Sequence, residues 1–92
     1  MGARKPELAE PVVVNRFFSN RRKDVITTTL QSYKGCNLID LRKFVANREG
    51  ISVPTSKGIT VKVARLHDLK KAIDAAVIKA TELGLLDDSE AE

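Results

Sequence analysis

The sequence predicts an α+β fold in which four antiparallel strands are followed by a long C-terminal helix. Two observations carry that reading. From Val12 to Val63, short runs rich in β-branched residues are separated by clusters of Gly, Asn, Asp and basic residues, the pattern of strands joined by turns. From Leu66 to Leu83, apolar residues instead recur at three- and four-residue spacing, the period of a helix with one buried stripe.

Residues 1–11 place Pro6 and Pro11 among small and charged residues without periodicity, and read as a flexible N-terminal arm. Val12 to Phe18, VVVNRFF, has strong strand propensity, and Asn20, Arg21, Arg22 and Lys23 follow as a basic turn or loop. Val25 to Tyr33 is β-branched through Thr27, Thr28 and Thr29, with Gly35 two residues behind Tyr33, so strand, tight turn, strand is the economical reading. In the strand from Cys36 to Val45, Ile39 and Leu41 share a face with Lys43 and Val45, while Leu38, Asp40, Arg42 and Phe44 share the other. Apolar residues on both faces mean that neither is wholly solvated in the functional form.

Asn47 to Gly50 make a turn, Ile51 to Val53 a short strand, and Pro54 to Gly58 a second turn. Pro54 confines the short strand to an edge or ends it. Ile59, Val61 and Val63 alternate with Thr60 and Lys62, giving a half-buried strand with a wet or ligand-facing side. The helix starts loosely between Ala64 and Leu66, since no capping side chain precedes it. Leu66, Leu69, Ile73, Val77 and Ala80 form its stripe and Gly84 is its natural stop. A single folded domain is expected over residues 12–84, with an acidic tail over 85–92. One helix covers one face of a four-stranded sheet, which leaves the second face wet, bound to ligand or paired with another chain.

Ninety-two residues make one domain at most. A foldable part of about 70 residues is only marginally stabilised by its own core, so help from a second copy is expected. The net charge of +4 conceals an uneven distribution. Four of the twelve acids lie in the last six residues, so residues 1–86 carry 16 cations against 8 anions. A basic body of this kind favours polyanionic partners, although cations also serve simply to keep a protein soluble.

A single cysteine, Cys36, excludes an internal disulfide framework, and a single histidine, His67, leaves too few soft ligands for a zinc site. Neither a metal nor any other cofactor is expected. There is no nucleophile and base at catalytic spacing and no phosphate-cradling glycine loop, so the chain does not read as an enzyme. The apolar run Val12 to Val14 is too short for a signal-peptide core or a membrane span, and the expected location is cytoplasmic.

YKG (Tyr33 to Gly35), LIDLRKF (Leu38 to Phe44) and KGITV (Lys57 to Val61), followed by a long helix, resemble the transcriptional positive cofactor four family. The likeness runs without a gap from Tyr33 to about Ile73, and more loosely from Asn20 to Ser32. It implies a symmetric homodimer whose sheets make cationic channels for single-stranded DNA, in a nucleoid-associated protein of bacterial type, or a nuclear one in a eukaryote. It also implies roles by position. Tyr33 is the stacking aromatic, Lys34 and Lys57 are phosphate contacts, Arg42 is a strand cation and Pro54 a channel-shaping turn residue. Arg21, Arg22 and Lys23 fall on the basic first turn. The chain departs from the family pattern at Cys36 and Ser56, where cations are expected, and at Val45, where a tryptophan is expected. Lys43 and Lys62 are extra cations that compensate electrostatically.

Blander readings stand beside these. Tyr33 is also acceptable as a half-buried strand residue, and Arg42 as the partner of Asp40 or Glu49. One of Phe17 and Phe18 is expected in the core and the other at the surface or a dimer contact. RNA is the alternative ligand, since nothing in the sequence visibly reads a 2′-hydroxyl. A docking surface for an acidic protein of the transcription machinery is the alternative from a different class.

Overall fold

The computed structural model describes residues 6–86. Four strands, β1 (Val12–Phe18), β2 (Val25–Tyr33), β3 (Cys36–Ala46) and β4 (Ser52–Lys62), pair antiparallel in the order β1-β2-β3-β4. A 3-10 turn, Val63–Arg65, leads into the helix α1 (Leu66–Glu82). The acidic residues after position 86, and Arg4 and Lys5 of the arm, lie outside the described residues.

Each hairpin is closed by local chemistry. Between β1 and β2, the Asn20 side-chain oxygen accepts from the amides of Arg22 and Asp24, and Lys23 adopts φ 68°. The β2–β3 connection is a two-residue turn in which Lys34 (φ 50°) and Gly35 (φ 82°) are both left-handed, the combination that matches strand twist. Between β3 and β4, the Asn47 side-chain oxygen accepts from Glu49 and Ile51. The helix ends as the sequence predicts: the Leu85 amide donates to the Ala80 carbonyl, that of Gly84 to Thr81, and Gly84 takes φ 77°. This is a Schellman stop.

Two expectations are corrected. The segment from Pro54 to Gly58 is not a turn between two strands but part of one continuous strand, β4. Pro54 sits across from Phe44 on the edge strand, the place in a sheet where proline is tolerated. Extra residues are absorbed in a bulge, for the register skips between Arg42, opposite Gly58, and Phe44, opposite Pro54.

The helix, moreover, does not cover the sheet. None of its residues is buried, Ile73 is 55% exposed, and the 3-10 turn ahead of it touches β3. The radius of gyration, 15.9 Å, exceeds the roughly 12 Å of a compact chain this long. Among the described residues only Ile39, at 6% exposure, is a buried hydrophobic side chain. A single copy therefore has strand ladders but almost no core.

Candidate nucleic-acid interface

Register assigns the side chains to faces. Directly paired residues share a face, so Ile26, Thr28 and Leu30 of β2 lie with Lys43, Leu41 and Ile39 of β3 and with Ile59 and Val61 of β4. This is the apolar face. The other carries Thr27, Thr29, Gln31 and Tyr33 with Phe44, Arg42, Asp40, Leu38 and Cys36, and with Thr60 and Lys62. A hollow of about 460 Å³ opens on it, lined by residues of all four strands, Arg16, Thr27, Asp40, Arg42 and Thr60 among them together with apolar Val13, Phe44 and Pro54.

Arg16 was invisible as a member of this face. Strict alternation from Val12 would place it on the apolar side, but the register shifts between Val13 and Asn15. That bulge puts Arg16 opposite Thr27, and in the same row Thr27 faces Arg42. Thr27, 4% exposed, is closed over between the two cations. The same shift sends Phe17 to the apolar face, opposite Ile26, and Phe18 to the polar one, opposite Val25.

Arg42 is engaged within the protein. Its Nε and Nη2 donate to the two carboxylate oxygens of Asp40 (3.1 and 2.9 Å), and its Nη1 donates to the Thr55 carbonyl at 2.9 Å. Thr60 donates to Asp40 at 2.7 Å. The Arg42 hydrogen bonds hold the Asp40 carboxyl below its ordinary value, with Thr60 and the Arg42 charge adding and partial burial opposing. Thr55 in turn donates to the Lys43 carbonyl and accepts from the Lys57 amide, so the bulge bearing exposed Ser56 and Lys57 is pinned from within. Gly58 is required there, because a side-chain carbon would collide with the Leu41 carbonyl oxygen and lie 2.8 Å from the Arg42 Cα.

The remaining candidates fall in three places. Tyr33, 63% exposed, ends the polar face, and the Lys34 ammonium lies 5.4 Å from its ring centre, a cation–π contact. Lys62 sits on that face across from Leu38. Arg21, Arg22 and Lys23 occupy the exposed loop at the opposite end of β2. Lys43 is on the apolar face, 3.3 Å from Asp24, whose carboxyl is lowered first by the Asn20 hydrogen bond and then by Lys43. Val45 is also on the apolar face, paired with Val53, so its small size takes nothing from the polar one.

The arm has structure near the β2–β3 turn. The Leu8 amide donates to the Ser32 hydroxyl, which donates to Asn37, whose amide nitrogen donates to the Pro6 carbonyl. Among the described residues there is no group of three or more potential metal ligands, and no helix long and apolar enough to cross a membrane.

No curated protein and no solved structure matches the chain. Residues 20–72, more than half of it, match the family described as Transcriptional Coactivator p15 (PC4), a nucleic-acid-binding coactivator family. That span runs from the Asn20 loop through β2, β3, the pinned bulge of β4 and the first turns of α1, and the chain belongs to this family.

Proposed function

We propose that the chain is a homodimeric single-stranded-DNA-binding protein with little sequence preference, acting as a transcriptional coactivator or regulator, or in DNA maintenance. The observation that supports this most is the polar face, which carries an exposed aromatic at one end and cations from several elements on one sheet. A single strand offers base faces and flexible phosphates, and sequence-tolerant binders meet them with aromatic platforms and spaced cations. Tyr33 stacks on a base. Lys34, Lys57, Lys62 and the Arg21–Lys23 loop contact phosphates, and Pro54 shapes one edge. Arg42 serves the site by holding the bulge in place, and Lys43 contributes charge from the far side.

Dimerisation is supported by what one copy leaves exposed: the stripe of α1, and Phe17 and Ile59 of the apolar sheet face. Two copies related by a two-fold axis present the polar face twice and suit the two strands of a melted duplex.

Oligonucleotides of equal length and sequence, single-stranded and duplex, test the reading in direct competition. Preference for the single strand is expected. Equal or tighter duplex binding contradicts it, and a preference for a matched RNA strand redirects it to RNA.

A further inference from the structure

We propose that Phe18 is a second base-stacking platform, at the opposite end of the polar face from Tyr33, and that it engages strands long enough to reach both. The inference rests on the proposed single-strand binding. It starts from the β1 bulge, which places Phe18 in a row with Val25, Phe44 and Pro54 across all four strands. Phe18 is the most exposed residue of that row among the large hydrophobics, at 68%. A hollow of about 150 Å³ lies against it, lined by Arg16, Phe17, Phe18 and Val25.

What occupies this ledge is argued from charge. Arg16 flanks the hollow on one side, and the chain leaving Phe18 enters the loop that bears Arg21, Arg22 and Lys23. An exposed aromatic between cations is the arrangement that receives a base with its phosphates, whereas an apolar protein contact would leave those cations facing a hydrophobic surface. Phe17, its neighbour, lines the same hollow but belongs by register to the apolar side, opposite Ile26, whereas Phe18 belongs to the polar face.

Separation gives the ledge a distinct signature. Val25 and Tyr33 are eight residues apart on β2, about 27 Å at strand spacing. At about 3.4 Å per stacked nucleotide, a strand of roughly eight nucleotides reaches from one aromatic to the other, and a tetranucleotide does not.

The test compares wild type, Phe18→Ala, Phe18→Tyr and Tyr33→Ala for binding to thymidylate strands of 4 and 16 nucleotides, with oligomeric state measured on each. Phe18→Ala is expected to lose about 5- to 150-fold in affinity for the longer strand, with an unchanged salt slope, because a stacked base and no cation is removed. Phe18→Tyr is expected to keep it. Phe18→Ala binding the longer strand like wild type overturns the proposal, as does its becoming monomeric, which would make the ledge a contact with a second copy. Failure of wild type to bind either strand overturns the single-strand reading itself, and the ledge with it.

Discussion

Arg42 makes four hydrogen bonds inside the protein, three of them within 3.1 Å, and is half-buried. A guanidinium so committed acts on the site through geometry. Asp40 is its counterpart, and its lowered carboxyl fixes the pH behaviour. A group with a folded value below its unfolded one adds stability that is fully present above the unfolded value, here about 3.8, and is lost as pH falls through the folded value. Asp40→Asn is accordingly expected to lower Tm at pH 7, with the difference from wild type shrinking below pH about 3.8. A difference that persists undiminished into acid would mean that the pair is not what the substitution removes. The alternative of an Asp40 partner for Arg42 was legible in the sequence, because residues two apart on a strand share a face. The Thr55 carbonyl as a third partner was not, since it depends on a bulge.

At the scale of elements, the hairpins were legible where turn chemistry is strong. Lys34-Gly35, the Asn47–Gly50 turn and the Gly84 stop each have a local cause that a short stretch of sequence displays. Bulges have no such signature: the extra residue in β1 reassigns Arg16, Phe17 and Phe18 to opposite faces without disturbing strand propensity. Pro54 misled for a related reason. Proline marks a turn in most contexts, but on an edge strand it is tolerated within the strand. The β4 bulge depends on backbone approach at Gly58, so Gly58→Ala is expected to destabilise the fold by about 1–3 kcal/mol, the usual cost of forcing atoms into a packed site. Chemical denaturation measures it, and a variant as stable as wild type would show that β4 tolerates a shift away from β3.

For the whole molecule, the missing core is the dominant fact. One largely buried aliphatic residue among the described residues cannot stabilise a chain of this length, and the apolar stripe of α1, read in the sequence as covering one face of the sheet, is left without a buried residue in a single copy. Periodicity reports that a face is apolar, not what covers it. If a second copy covers it, stability is coupled to concentration: a hundredfold rise in protein is expected to add about 2.7 kcal/mol of apparent stability per dimer and to raise Tm, whereas a monomer melts at one temperature throughout. The single-strand reading is tested most directly by the salt dependence of binding to one strand. Contact with about six phosphates predicts that log K falls against log salt with a slope of about −4. A slope near zero would contradict a charge-led polar face.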